Sequence, residues 1–222
     1  MSKIKWRGGA MTSPLPAVLV TCSDGEKDNV FTVGWTGIVC TDPPKTYISV
    51  RPTRHSYEMI KKSGEFCINL TTRELLRAVD LCGVRSGKEL DKFEACRLTK
   101  EPADSVSCPR LAQSPVTMEC RVTDILPLGT HDMFLAEILS VAVDETLVDK
   151  AGKLHLERAG LIAYAHGTYF ALGEQLGTFG YSVAKKKKRR SAAPAEKMHG
   201  AAAPQKSRTK KKPAKKESSR QK

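Results

Sequence analysis

The sequence lacks the motifs that mark the common nucleotide-binding and hydrolytic folds. It has no Gly-rich dinucleotide fingerprint, no phosphate-binding glycine loop and no nucleophile elbow. No run approaches the roughly 18 consecutive apolar residues that a membrane span needs. The N-terminal stretch MSKIKWRGGAM also lacks the apolar segment of a secretory signal peptide. A phosphorylated ligand of this protein would therefore have to be held by side chains and turn amides.

Paired cysteines are also missing, although the chain has seven cysteines. They occur singly and mostly within apolar runs, at Cys22, Cys40, Cys67, Cys82, Cys96, Cys108 and Cys120. An odd number without a CxxC pair argues against a disulfide framework and against a zinc site. We therefore expect no metal centre and a reducing, cytoplasmic location.

Acidic residues are scarce only at the C-terminal end. From Lys185 to Lys222, 16 Lys and Arg residues stand against Glu196 and Glu217, a net charge of +14. The whole chain is +13, which leaves −1 for residues 1–184. Almost no tail side chain is apolar and larger than Ala, so we predict a folded domain at 1–184 and a disordered tail at 185–222. Such a tail either contacts nucleic acid or an anionic membrane surface non-specifically, or is simply solvated.

Short alternating segments predict a mainly β body with two or three short helices. Strands are expected at 17–22, 30–36, 46–51, 66–70, 116–126, 133–143 and 161–165, and 116–126 and 133–143 are expected to pair as a hairpin. Helices are expected at 54–64 and at 73–83, the second capped by Thr72. Because strands and helices do not alternate strictly, the pattern favours a β-barrel with helical insertions over a parallel sheet.

The segment SVRPTRHSYEMI is a candidate anion site. It delivers Arg51 from a strand and then places Arg54, His55 and Ser56 at the start of a helix. Helix N-terminal amides, a hydroxyl and forked guanidinium donors all suit a phosphate. The same residues also fit an ordinary charged turn with a serine cap.

Three other stretches have two interpretations each. The polar segment GVRSGKELDKFEAC either covers an anionic ligand or is a solvated loop, and His131 in the loop GTHDMF is, taken alone, more typical of a structural hydrogen bond. The stretch VFTVGWTGIVCTDPP places Trp35 and Thr36 between Gly34 and Gly37. Such a break in a strand is typical of a buried corner or of a wall that a flat ligand approaches.

In order and spacing, seven segments of the body resemble one family, the flavin reductase-like FMN-binding split barrels, and within it the flavoredoxin branch. The resemblance covers about residues 12–183 and leaves out the tail. The segments are PAVLVTC, NVFTVGWTGIVCTDPP, YISVRPTRHSYEMIKKSGEFCINL, AVDLCGVRSGKELDKF, SPVTMECRV, LGTHDMFLAEI and IAYAHGTYFALGEQLGTFGYSV.

The resemblance implies an antiparallel split barrel that forms a homodimer and binds FMN non-covalently near the dimer interface. It places the isoalloxazine ring against Asn29, Trp35, Thr36 and Gly37. It assigns the phosphate and ribityl end to Arg51, Arg54, His55 and Ser56. It further implies that Lys92 contacts FMN and that His131, as the catalytic candidate, and Tyr164 lie around the flavin.

The expected function is that of an FMN-dependent oxidoreductase that passes reducing equivalents from NAD(P)H to a flavin or another acceptor. One alternative is a flavoredoxin-type electron-transfer protein that acts with protein partners. Another is a nucleic-acid-associated protein in which the tail matters more than the barrel. The sequence leaves open whether NADH or NADPH is the donor and whether FMN is a fixed cofactor or an exchanging substrate.

Overall fold

A computed structural model describes residues 1–184, and the predicted tail at 185–222 lies outside the described residues. Residues Met1–Glu174 form one compact unit, and Gln175 begins a second. Within its described part, the second unit has a 3-10 turn at Tyr181–Val183. Among the described residues, no helix is long and apolar enough to cross a membrane.

The first unit is built from short strands and three short helices. The strands are β1 (Leu15–Pro16), β2 (Val18–Ser23), β3 (Asp28–Val33), β4 (Thr36–Thr41), β5 (Pro44–Val50), β6 (Glu65–Asn69), β7 (Lys100–Glu101), β8 (Arg110–Leu111), β9 (Val116–Pro127), β10 (Asp132–Val143), β11 (Ile162–Ala165) and β12 (Thr168–Ala171). The helices are α1 (His55–Ser63), α2 (Leu76–Val84) and α3 (Lys92–Cys96). Short 3-10 turns follow β10, at Glu145–Leu147 and Leu156–Arg158.

Seven strands form the main sheet, in the order β3-β2-β6-β9-β10-β5-β4. Every pairing in it is antiparallel. The long hairpin β9–β10 lies near its centre, with register shifts that bend the pair between Leu135 and Ala136 and between Ile138 and Ser140. A smaller sheet joins β1, β11 and β12. The antiparallel, mainly β prediction with a long hairpin is therefore confirmed.

The apolar core has two parts because β2 is buried on both faces. Val18 and Val20 point into one cluster with Phe66 and Phe134, and α1 packs there too. Leu19 points the other way, into the cluster that α2 and α3 cover. Alternate side chains of one strand thus pack into the two clusters, because successive side chains of a strand point to opposite faces. This arrangement fixes the helices against opposite sides of the same strands.

The short strands β1, β7, β8 and β12 were not expected from the sequence, and three further differences lie close to the ends of strands β3 and β4 and of helix α2. The expected strand at 30–36 ends at Val33, and a separate strand begins at Thr36 after a bend. Helix α2 begins at Leu76 instead of directly after Thr72, because Thr72 pairs across an isolated bridge with Leu161. The polar segment that follows α2 contains the helix α3, whereas the sequence predicts a loop there. Its first turn is capped by the Asp91 carboxylate, which accepts from the amides of Phe93 and Glu94.

Candidate functional site

A large cavity lies where the ends of several elements meet. It has a volume of about 680 Å³. Its walls come from the β3–β4 bend, the end of β5, the first turn of α1, the α2–α3 connection, the β9–β10 loop and β11. We call it the cationic cavity, because its walls carry Arg51, Arg54, Arg85 and Lys92. Among the described residues, the one carboxylate in its walls belongs to Glu89, which is ion-paired with Arg85 at 2.9 Å.

The first turn of α1 forms one end of the cationic cavity. The turn from Arg51 to Arg54 is closed by a backbone hydrogen bond of 2.9 Å, after which His55 and Ser56 begin the helix. Within the described part of the chain, no side chain caps this helix. The first amides of a helix have no partner inside the helix and carry partial positive charge. This end of the cavity therefore offers amide, hydroxyl and guanidinium donors to an anion.

Behind this end, Asn29 and Ser56 are joined in a buried pair. The Asn29 carboxamide nitrogen donates to the Ser56 hydroxyl oxygen at 2.7 Å. Gly87, on the α2–α3 connection, lies directly against Asn29, since a Cβ at Gly87 would stand 2.4 Å from the Asn29 Oδ1 atom. Only glycine fits at this distance. The connection is thereby held against the strand that carries Asn29, and both line the cavity.

Two basic side chains are tied to the C-terminal end of α2. Lys92 is almost fully buried and donates from Nζ to the Cys82 carbonyl oxygen at 3.0 Å. Arg54 donates from Nη1 to the Gly83 carbonyl oxygen at 3.0 Å. Burial lowers the pKa of Lys92, and burial followed by the charges of Lys88 and Lys92 lowers the pKa of His55. Burial, with neighbouring positive charges as a smaller cause, therefore disfavours the protonated forms of both side chains.

One wall of the cavity, beside Arg51, is aromatic. The rings of Trp35 and His131 are 4.4 Å apart between centroids and tilted by 43°. Arg51 donates from Nε to His131 Nε2 at 3.4 Å, so the ring proton is assigned to Nδ1, which donates to the Thr130 hydroxyl oxygen at 3.0 Å. Burial, and then the charges of Arg51 and Arg54, lower the pKa of His131. A neutral His131 therefore stacks on Trp35 at this wall.

A hydrogen bond joins helix α1 to the β9–β10 loop beside the cavity. Tyr57, the residue after Ser56, donates its hydroxyl to the Asp132 Oδ2 atom at 2.6 Å, and Asp132 follows His131 in the chain. This bond, with burial as a smaller cause, raises the pKa of Tyr57 to about 12. Helix α1 and the β9–β10 loop are thus held to each other beside the cavity.

Nine of the eleven residues singled out by the sequence line the cationic cavity. They are Asn29, Trp35, Arg51, Arg54, His55, Ser56, Lys92, His131 and Tyr164. The other two lie against β5. The Thr36 hydroxyl donates to the Tyr47 carbonyl oxygen at 2.6 Å, and Gly37 faces the Tyr47 ring across the strand pair. The expectation that Thr36 and Gly37 line the ring wall therefore has no support in the geometry of the cavity.

Several lining residues were not singled out by the sequence. They include Ser49, Val50, Thr53, Val84 and Ser86. Ser49 has a readable signal, because it lies two positions before Arg51 in an alternating strand and so shares its face. Val84 has no such signal in the sequence, because the exposure of 73% of its surface at the end of α2 is visible only in the structure.

The antiparallel sheet thus carries, at the ends of its strands, a cationic cavity with an aromatic wall. The family model for the flavin reductase like domain matches residues 10–173, and the chain belongs to that family. The fold is a split barrel with short helices. It is shared with a Shewanella frigidimarina protein that has a split barrel domain, at a TM-score of 0.68 and 23% identity over 75% of this chain and 86% of that one.

Two further relatives bear names that describe a function. The chain resembles the flavoredoxin of Desulfovibrio vulgaris (Miyazaki F) at 27% identity and a TM-score of 0.77, covering 82% of this chain and 100% of that one. It is also 27% identical over 153 residues to the NADPH-flavin oxidoreductase of Streptomyces viridifaciens, which covers 67% of this chain and 78% of the relative.

Proposed function

We propose that the chain binds FMN in the cationic cavity and acts as a flavin reductase-type oxidoreductase that takes reducing equivalents from NAD(P)H. The observation that carries this proposal is that one cavity combines two kinds of wall. One part of the wall presents helix amides, a hydroxyl and guanidinium groups, and another presents the Trp35–His131 ring pair. A flavin mononucleotide likewise combines a phosphate with a flat ring system.

The residues present fit FMN in size and in charge. The cavity's volume of about 680 Å³ lies within the roughly 300–1,000 Å³ that is usual for small-molecule sites. The free amides at the start of α1 and the guanidinium groups of Arg51 and Arg54 supply donors for a phosphate. A bound dianion would also offset the charges of Lys88 and Lys92, which, after burial, lower the pKa of His55.

Each group of residues has a distinct task in this proposal. When bound, FMN would supply the redox chemistry, accepting hydride from a reduced nicotinamide and passing electrons onward. Ser56 and Arg54 would hold the phosphate, with Asn29 fixing the Ser56 hydroxyl from behind. Trp35 would form a flat wall for the ring system. His131, neutral and held by Arg51, would place its imidazole beside that ring.

Thiol chemistry is not part of this proposal. Cys22 lies behind Ser56, but burial raises the pKa of its thiol to about 12. A thiol with such a pKa remains protonated near pH 7 and is a poor nucleophile. The cavity therefore serves a bound redox cofactor better than it serves covalent catalysis by cysteine.

A flavoredoxin-type electron-transfer role is the second candidate. The resemblance to the Desulfovibrio vulgaris flavoredoxin, which spans that whole chain, favours it. Stopped-flow measurement of flavin absorbance separates the two roles, because NADH or NADPH should bleach bound FMN rapidly in a reductase. Purified protein that is yellow but is bleached by neither nucleotide would sink the reductase proposal and leave the electron-transfer one. Colourless protein that fails to bind added FMN would refute both.

We also propose that the protein is a homodimer. Strand β4 is an edge strand of the main sheet, and it exposes Ile38 and Val39 side by side, at 60% and 51% of their surfaces. Exposed apolar neighbours on a sheet edge are costly to leave in water and prone to pair with another chain. Light scattering after size exclusion should give twice the chain mass, and a monomer at micromolar concentration would contradict the proposal.

The basic segment 185–222 is proposed to contact nucleic acid without contributing to the cavity. Its net charge of +14 supports a salt-sensitive, sequence-independent attraction to a polyanion. Removing residues 185–222 should abolish any such binding and leave FMN affinity unchanged. Loss of flavin from the truncated protein would refute this division of tasks.

A further inference from the structure

The Tyr57 hydroxyl makes a short hydrogen bond next to the cationic cavity, although Tyr57 does not line it. The bond runs to Asp132 Oδ2 at 2.6 Å, and Asp132 does not line the cavity either. Each of the two residues directly follows a cavity residue in the chain, because Tyr57 comes after Ser56 and Asp132 comes after His131. The bond therefore connects the start of α1 with the end of the β9–β10 loop through side chains outside the cavity wall.

The ring of Tyr57 has a fixed orientation. It is almost fully buried in the apolar core and meets the Phe134 ring nearly edge-on, with 5.2 Å between the centroids and 75° between the planes. The Tyr57 backbone N–H donates to the Arg54 carbonyl oxygen at 3.0 Å, inside the first turn of α1. Because side chains packed at core density keep one rotamer, the hydroxyl presents its proton at one place, to Asp132.

The β9–β10 loop that carries His131 lies at the surface. Residues 128–130 are exposed, and two hydrogen bonds of the loop stay within it. Outside the loop, His131 meets the Trp35 ring and the Arg51 guanidinium, whose bond of 3.4 Å is longer than an ordinary hydrogen bond. Exposed loops with few buried contacts open at a low free energy. The position of His131 therefore depends on how well the adjoining strand end is held.

Asp132 is that strand end. It is the first residue of β10 and pairs there with Val50 of β5 and with Pro127 of β9. The ends of hydrogen-bonded elements fray most easily. The bond from Tyr57 ties this end of the strand to a buried side chain of α1. It thus opposes fraying directly next to His131.

We propose that Tyr57 is a positioning residue for His131, which it keeps against Trp35 by holding Asp132 at the start of β10. The inference rests on the proposed function, in which His131 places its imidazole beside the flavin ring. It adds a residue that contacts neither FMN nor the reductant and yet determines where that imidazole stands. One hydrogen bond then joins the proposed phosphate-binding turn to the proposed wall for the ring system.

NMR of the His131 ring in the full-length protein, without added flavin, tests the placement. Tyr57→Phe keeps the packed ring and removes the hydroxyl alone. The His131 ring protons should then shift, because the imidazole leaves the ring current of Trp35. The pKa of His131 should also rise towards 6.5, since the burial and the arginine charges that lower it are reduced.

Substitutions at Asp132 test whether the effect runs through this bond. Asp132→Ala should reproduce the effect of Tyr57→Phe, and the double variant should show no further change. Asp132→Asn keeps an oxygen acceptor and should leave His131 close to its wild-type position. Tyr169→Phe is the matched control, because it removes a tyrosine–carboxylate bond of 3.4 Å at Asp80 and should leave the His131 signals unchanged.

A bond with a purely structural role gives a different result. Tyr57→Phe would then lower the temperature of unfolding while the His131 shifts and pKa stay as in the wild type, which would overturn the inference. Additive changes in the double variant would overturn it too. Should Tyr57→Phe fail to fold, the two Asp132 variants carry the test, and equal His131 signals in both variants and in the wild type would refute it.

Reduction kinetics separate this inference from the proposed function. In protein saturated with FMN, Tyr57→Phe should slow bleaching by NADH or NADPH by about fivefold. FMN affinity should change by less than about twofold, because the donors of Arg54 and Ser56 remain. Bleaching at the wild-type rate would contradict the role given to this placement. Wild-type protein that neither nucleotide bleaches would refute the reductase proposal, and the NMR comparison would still decide whether Tyr57 positions His131.

Discussion

Replacing Gly87 by alanine should distort the wall of the cavity, because the added Cβ would clash with the Asn29 side chain. A Cβ at this position would lie 2.4 Å from Asn29 Oδ1 and 2.8 Å from Asn29 Cγ, whereas ordinary contact begins at 3.4 Å. Either the Asn29 side chain or the connection that carries Gly87 must therefore move by about 1 Å. Asn29 is buried and bonded to Ser56, so neither movement is free.

The size of the effect follows from the hydrogen bond that such a movement breaks. The Asn29 Nδ2 to Ser56 Oγ distance is 2.7 Å, and lengthening it by that amount takes it beyond hydrogen-bond range. Loss of one such bond costs about 0.5–1.5 kcal/mol. Because both residues stand at the proposed phosphate end, we expect a threefold to tenfold weaker FMN affinity.

Fluorescence titration of the apoprotein with FMN measures this change. Gly173→Ala is the matched control, since a Cβ there meets nothing within 4 Å. A double-mutant cycle with Ser56→Ala then tests the route, because Gly87→Ala should cost less where the Asn29–Ser56 bond is already gone. Unchanged FMN affinity in Gly87→Ala would show that the structure accommodates the added Cβ without affecting the site. Full additivity with Ser56→Ala would show that the effect of Gly87→Ala does not depend on the Asn29–Ser56 hydrogen bond.

Three other perturbations address separate parts of the cavity. Arg54→Ala should weaken FMN by about tenfold and riboflavin little, because a charge-assisted bond to phosphate is lost, and equal losses would move Arg54 away from the phosphate. Trp35→Ala should weaken FMN or shift its absorbance bands, and an unchanged spectrum and affinity would leave Trp35 without a role at the ring. His131 should titrate below 6.5 by NMR, since burial and the charges of Arg51 and Arg54 oppose its protonated form. Arg51→Gln should raise that pKa towards 6.5, and a wild-type value at or above 6.5 would contradict the assigned environment.

Much of the fold was predictable because the strands alternate and the turns carry clear signals. The hairpin 116–126 with 133–143 differs from β9 and β10 by only a residue at one end of each. The sequence does not predict β4 as a separate strand, because its apolar residues Ile38 and Val39 are adjacent and do not alternate with polar ones. In the structure both are exposed. The sequence does not predict α3, although Asp91 followed by Glu94 is a capping pattern. The helix has only five residues, which is too short for a repeating spacing of apolar residues to be recognised.

The site was predictable where its residues are contiguous and less so where the tertiary structure gathers them. Residues 51–56 come from one turn, so the sequence alone could mark them as an anion site. Trp35 and Thr36 are adjacent, yet only Trp35 lines the cavity, because successive side chains near a strand point in opposite directions. Position 87 needs glycine because a Cβ there would meet the side chain of Asn29, which lies 58 positions earlier. No local sequence pattern predicts that contact.

The cationic cavity takes its walls from residues as far apart as Leu15 and Tyr164. Contacts between such distant parts of a chain form late in folding, because the entropy of closing a long loop is lost before the contacts can stabilise the structure. The cavity is therefore absent from partly folded forms, and a ligand that fits it binds the native state alone. At a hundredfold excess over its dissociation constant, such a ligand adds about 2.7 kcal/mol to the free energy of unfolding. With FMN as the proposed ligand, the supply of flavin in the cell would help to set how much of this protein stays folded.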